Sequence, residues 1–594
     1  MVTRLGYAVP CCVRCRTDAL LSREHAARCA TRCLGGLKEK MFNKSSIVVL
    51  ACLMNSLVAA QTAPTAGGQI QQIPPAPVSP IVPPQLDVTR ESSSAVMRRD
   101  VTTFVAKRLV FVGAKVYSSD ELLQMTGFTP EQPMNLQTLY GMADQITQRY
   151  RRDGYLVAQA YIPTQDVSEG EVKIIILEGA YGQVVLRNTA PMHDAVLADV
   201  LLGLNSGAPI LQQPLENRLL LLSDLPGVQV QSRLMPGSTL GTSDLWVDVA
   251  PTAPVSGSVD FDNAGNRYTG TYRLGGTLNV NNPTGAADQI SLRALTSGTG
   301  LNYFRGAYLR PVAGWRVGVA YSELRYALGQ EFESLQAHGS ARMVSLWGTY
   351  AMVRSRAYNQ YVTLGLDHKL LSDHQDSVGS NTEKSVDLWT ATLHGDQRDT
   401  WGGGGLTRYS VGTSLGTLDI RTPEALSADD STARTQGAFK KLSFSLTRHQ
   451  ALTPTLSLVA SASGQWASQN LNASEKMELG GMYGVRAYPE GEAYADQGYL
   501  LSLELRKRAR TAPTPSSVLH WVGFIDTGQV NLNHQPWSDG RNQRQLSGIG
   551  VGVNWDKAND YLVKAFYAVK LGSDTAQSAP DRSGRFWIQT VKFF

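Results

Sequence analysis

The 594 residues are 42% hydrophobic and 18% charged, too apolar for a disordered chain and too long for one ordinary domain. No apolar run reaches the roughly 18 to 20 residues of a membrane-spanning helix; the longest, 47–60, is broken by Asn55 and Ser56. The formal charge of +5 belongs to the start of the chain, because the residues after 60 hold 46 Lys or Arg against 47 Asp or Glu, and no nucleic-acid partner is expected.

Residues 1–40 contain Cys11, Cys12, Cys15, Cys29 and Cys33, and the sixth cysteine is Cys52. Zinc thiolates are one reading, weakened by the lack of a CxxC pair at both ends. The other is a non-native extension upstream of a true start at Met41. Residues 41–60 have a basic Lys44, an apolar stretch from Ile47 to Met54 and small residues at Val58 and Ala60, the pattern of a secretory signal peptide. The exported chain would then carry no cysteine. Residues 61–100 begin as a Pro-, Gln- and Ala-rich linker that favours extended backbone.

From 101 the character changes. Leu136, Leu139, Tyr140, Ala143, Ile146 and Tyr150 recur at helical spacing, followed by strand-like runs over Tyr155–Ile162 and Glu171–Leu177. Gly154 and Pro163 return as Gly227 and Pro236, and the strand at Glu171 returns at Asp244, each 73 residues on. Two tandem α/β modules, 101–179 and 180–253, are predicted.

Over 254–594 a period of two replaces helical spacing. Tyr272, Leu274, Gly276, Leu278 and Val280 alternate with Thr271, Arg273, Gly275, Thr277 and Asn279. Segments of this kind start near 255, 271, 288, 301, 314, 342, 358, 386, 405, 437, 455, 498, 518, 545, 560 and 585. These sixteen candidates predict a transmembrane β-barrel of about 16 antiparallel strands, with polar side chains facing a wet lumen and apolar ones facing lipid. Trp315, Tyr321, Tyr350, Trp466 and Tyr567 are candidates for interfacial aromatic belts.

Between the eleventh and twelfth candidate strands runs ELGGMYGVRAYPEGEAYADQGYL, residues 478–500. Its tip holds Val485, Arg486, Ala487 and Tyr488. The thirteenth strand places Phe524, Asp526 and Gly528 on one face. An arginine on a returning loop and an aspartate on an inner strand face can form a charge-assisted pair, either as a brace or as a functional element.

Enzyme signatures fail in context. Gly412-Thr413-Ser414-Leu415-Gly416 matches GxSxG inside an alternating strand with no following helix, and neither a phosphate loop nor HExxH occurs. No catalysis, cofactor or metal is expected. Gly548, Gly550 and Gly552 share a strand face that would admit a close neighbour.

The loop motif, the strand motif, the two modules and the barrel together resemble the outer-membrane transporters of two-partner secretion, the haemolysin secretion and activation family. Tyr150–Asp166 with Leu177-Glu178-Gly179 is similar to that family's periplasmic POTRA domain. The resemblance implies a 16-stranded barrel whose sixth extracellular loop folds into the lumen, where Arg486 meets Asp526. It further implies a monomer in outer-membrane lipid that exports a cognate large exoprotein of haemolysin or adhesin type without ATP. Docking would use strand addition to an exposed POTRA edge. The alternative is a factor that assembles and inserts other barrels, and a passive porin is a third reading. Two departures stand out. Ala487 occupies the place where the family usually has glycine, and Pro64, Gly67, Gly68 and later prolines leave little room for a pore-plugging helix between Gln61 and Arg90.

Overall fold

The computed structural model describes residues 63–77, the backbone of 86–88, and residues 103–594. The expected extension and signal peptide over 1–60 lie outside them, as does most of the linker. Two short N-terminal elements come first: helix α1 (Ala66–Gln71) and strand β1 (Leu86–Val88).

Module one contains β2 (Thr103–Val105), β3 (Arg108–Val112), α2 (Ser119–Thr126), β4 (Pro133–Asn135), α3 (Leu136–Arg152), β5 (Gln159–Tyr161) and β6 (Glu171–Leu177). A capping box starts α2: the Ser118 hydroxyl accepts from Glu121 N while the Glu121 carboxylate accepts from Ser118 N, satisfying two otherwise orphaned donors. Helix α3 buries Leu139, Ala143, Ile146 and Tyr150 against the sheet β3-β6-β5; Tyr140 turns out of that face and is exposed. Module two repeats the plan with β7 (Ala180–Asn188), α4 (Asp194–Val200), α5 (Gln212–Ser223), β8 (Val228–Pro236) and β9 (Thr242–Pro251). In module one the last strand pairs in parallel with β3 and antiparallel with β5, and in module two in parallel with β7 and antiparallel with β8. Gly154 and Gly227 take positive φ values of 95° and 84° after α3 and α5, a conformation that favours glycine. Strand β1 adds in parallel to the outer edge of β8.

Strands β10 (Val255–Asp262) to β25 (Gly584–Phe593) form a closed barrel of sixteen, each antiparallel to its neighbours, with β10 pairing β25. All sixteen start within six residues of the expected positions. The two largest differences are β15 (Ala337–Arg354) and β17 (Ser380–Asp399). Their first residues, His338–Ser340 and Ser380–Lys384, are polar or small on both faces, so no alternation announces them. Leu501, Leu503 and Leu505 are 43–45% exposed on the outside of β21 (Gln497–Arg508), while Ser502 and Glu504 point inward.

The inner face is not uniformly polar, contrary to the expectation of a wet lumen. At the end away from the modules, Leu324, Tyr326, Leu371, Val386, Leu418 and Phe439 form an apolar cluster around Ala66 of α1. The expectation of little room for a helix between Gln61 and Arg90 is therefore corrected. Pro64 stays ahead of the cap at Thr65, whose hydroxyl accepts from Gly68 N. A Cβ on Gly67 would lie 2.8 Å from Ser474 N, and one on Gly68 would touch the Tyr494 ring. Each glycine costs about 1 kcal/mol of helix propensity, but Gly67 permits a contact that no larger residue could make.

Candidate functional site: a loop arginine locked to the inner wall

Residues 468–496 leave the distal end of the barrel between β20 (Leu456–Ala467) and β21 and fold back into the lumen. Leu479 O accepts from Val485 N at 2.8 Å and Val485 O from Tyr488 N at 3.0 Å, closing a tight tip. From that tip the Arg486 guanidinium donates to both oxygens of Asp526 on β22 (Val518–Asn531), Nε to Oδ2 and Nη2 to Oδ1, each at 2.8 Å. Arg486 N adds a third bond to the same carboxylate at 3.2 Å. The remaining donors reach Glu504 Oε1 at 2.7 Å and Ser502 Oγ at 3.2 Å, and Ser502 in turn donates to Asp526. The guanidinium lies 3.4 Å from the Phe524 ring centre, adding a cation–π contact. Arg486 and Asp526 are 5% and 0% exposed.

Glycines shape the seat. A Cβ on Gly548 would collide with Ala487, and Cβ atoms on Gly550 and Gly552 would enter the rings of Phe524 and Phe566. A side chain on Gly528 would strike Leu479 of the loop. Ala487 is fully buried with no positive φ, so the absent glycine does not disturb the tip; its methyl fills the space that Gly548 leaves. Tyr488 is buried and donates through its hydroxyl to Asp574 O at 3.0 Å. The seven residues Val485, Arg486, Ala487, Tyr488, Phe524, Asp526 and Gly528 thus meet in one place.

Sequence reasoning missed Ser502 and Glu504, although their alternation with three leucines marked them as inward-facing. It also missed Trp587, whose indole donates to Arg486 O at 2.7 Å. Further ion pairs fasten the loop: Arg544 with Glu492 at 2.9 Å, Lys476 with Asp496 at 3.0 Å, and Lys369 and Lys441 with Glu475 at 2.5 and 2.8 Å. Helix α1 bolts loop to wall. Ala66 N donates to Asp373 Oδ1, Arg273 Nη1 to Gln72 O, and the Tyr494 hydroxyl to Gly68 O, at 2.6, 2.9 and 3.1 Å.

In module one, Tyr150 and Glu178 from the two ends of the quoted motif meet. The Tyr150 hydroxyl donates to Glu178 Oε1 at 2.9 Å, and the same oxygen accepts from Lys115 N and Val116 N. Burial, and then the carboxylate, push the Tyr150 hydroxyl well above its ordinary pKa. The GxSxG residues lie within β18 (Gly405–Ile420), with Ser414 on the inner face beside Leu418; the strand runs on through them without the turn that exposes a nucleophile.

Residues 241–555, more than half of the chain, match the family model for haemolysin secretion/activation protein ShlB/FhaC/HecB, and residues 104–179 match the ShlB-type POTRA domain. The heme/hemopexin transporter protein HuxB of Haemophilus influenzae (strain 86-028NP) is 28% identical over 486 residues, covering 80% of this chain and 84% of its own. The outer membrane transporter CdiB of Escherichia coli O6:K15:H31 (strain 536 / UPEC) is 26% identical over 514 residues, 82% of either chain. The solved structure of CdiB from Escherichia coli superposes with a TM-score of 0.66 at 20% identity, over 94% of this chain and 100% of that one. With its barrel and first module both matched, the chain belongs to the haemolysin secretion/activation protein family ShlB/FhaC/HecB.

Proposed function

We propose that this protein is an outer-membrane translocator of two-partner secretion, which takes one large unfolded partner from the periplasm and passes it through its barrel without ATP. The observation that carries the reading is a sixteen-stranded barrel filled by two elements that side-chain bonds hold in place, with tandem modules at its mouth. Barrels of this strand number leave an aqueous channel when empty. Helix α1 and the returning loop fill the extracellular half, and nothing covalent beyond the chain itself keeps them there. Arg486, Asp526 and their neighbours would hold the closed state, and their release would open a path.

On this reading residues 41–60 direct export, 61–100 hold the plug and its link to the modules, 101–179 and 180–253 are POTRA domains and 254–594 is the barrel, acting as a monomer in outer-membrane lipid. The partner is a haemolysin- or adhesin-type exoprotein, and folding outside the cell draws it forward. With β1 already on the outer edge of β8, strand addition would use an edge that no further strand covers among the described residues, β3 or β5 of module one or β7 of module two.

The test compares secreted and outer-membrane proteins of matched cells with and without the gene. Loss of one large extracellular protein with unchanged barrel levels is expected. A joint fall of many outer-membrane barrels would instead mark an assembly factor, and no change in either set would favour a porin.

A further inference from the structure

Below the plugged half of the lumen, a cavity of about 2920 Å³ opens between module two and the periplasmic mouth of the barrel. Its walls come from α4, α5 and β8 on one side and from strand ends and turns of the barrel on the other. Seven arginines and three aspartates line it, with no lysine or glutamate. Outside residues 1–60 the chain is almost charge-balanced, so this excess is local.

Two of the arginines brace the modules. Arg354 forms a bidentate pair with Asp224 at 2.8 and 2.9 Å, and Arg356 pairs with Glu216 at 3.2 Å. Arg316, Arg398 and Arg408 differ. Each is exposed and has no carboxylate partner among the described residues. Strand alternation aims all three inward. Arg316 shares the face of Ser322 and Leu324 in β14 (Trp315–Ala327), Arg398 that of Val386 and Leu388 in β17, and Arg408 that of Leu418 and Ile420 in β18. Asp396, opposite Arg408 in the ladder, accepts from Asn359 Nδ2 at 3.1 Å, and Asp399 is taken by Arg448. Trp347 and Tyr361 present aromatic rings on the same inner face.

We infer that this vestibule is a docking surface for acidic, extended segments of the exported polypeptide, with Arg316, Arg398 and Arg408 binding carboxylates and Trp347 and Tyr361 receiving apolar side chains. The inference rests on the translocator reading and adds the chemistry of the cargo. Low-dielectric walls lined by one sign of charge focus the field and concentrate the opposite charge. Unpaired guanidiniums keep their donors available to a passing carboxylate. The same lining slows entry of basic segments, so the vestibule also sorts.

The experiment uses the full-length protein in lipid nanodiscs and two labelled Gly/Ser peptides, one with spaced aspartates and one with lysines in their places. Fluorescence anisotropy should show the aspartate peptide binding on the order of tenfold tighter at low salt, with the difference shrinking as salt screens it. The double variant Arg316→Glu/Arg408→Glu should lose that preference while keeping its heat-modifiable migration on gels. If the reversal prevents folding, Arg316→Gln/Arg408→Gln replaces it with the same expectation. Equal binding of the two peptides, an unchanged preference in the variants, or displacement of the aspartate peptide by inorganic phosphate at matched charge would each overturn the proposal. Because the assay involves no export, the translocator reading can fail in the secretion comparison while this preference stands, and the reverse holds too.

Discussion

The two halves of the barrel lumen solve opposite problems with the same alternating strands. In the extracellular half every named charge is spoken for: Arg486 by Asp526 and Glu504, Arg544 by Glu492, Glu475 by two lysines, and Asp373 by α1 and Tyr326. Apolar residues fill the remaining space. In the periplasmic half, Arg316, Arg398 and Arg408 stand in a wide vestibule without carboxylate partners among the described residues. A closed door needs satisfied groups, since a buried unpaired charge is strongly destabilising. An entrance needs unsatisfied ones, because only a free donor can capture a substrate.

The largest effect should come from removing the plug. Deleting residues 63–77 is expected to raise single-channel conductance in planar bilayers by roughly an order of magnitude, as the extracellular half becomes an aqueous channel; unchanged conductance would mean that the loop alone closes the pore. Next is Arg486→Ala, which leaves Asp526 and Glu504 buried without their cation and should cost roughly 3–5 kcal/mol in denaturant unfolding. Arg486→Lys should recover only part of that, because an ammonium cannot make the bidentate contact. Gly548→Val is expected to overpack the seat of Ala487, costing about 1–3 kcal/mol and exposing the loop to added protease. The smallest effect lies outside the barrel, where Glu178→Gln should destabilise module one by about 1–2 kcal/mol without changing the conductance.

The same contrast explains what could be read from the chain. Strand positions were legible because lipid demands an apolar outer face at every second residue, as at Leu501, Leu503 and Leu505. The repeat was legible because Gly154 and Gly227 occupy the same left-handed turn. The charge pair could be named because Arg486 and Asp526 both sit at inward or returning positions. Glu504 and Trp587 escaped, since nothing local says which inward side chain meets a loop that is distant in sequence. The plug escaped for a sharper reason. Gly67 and Gly68 lower helix propensity, and only the tertiary contact with Ser474 and Tyr494 explains their presence. The vestibule was invisible as well, because Arg316, Arg398 and Arg408 are scattered over three strands and gather only when the barrel closes.

The central claim is that a polypeptide passes through this lumen, and position-specific photocrosslinking in actively secreting cells tests it most directly. A photoreactive amino acid replacing Ser414, which faces inward, should capture the secreted protein, whereas the same group replacing Leu415, which is exposed on the outer face, should not. Capture at neither position, or equally at both, would contradict transport through the barrel.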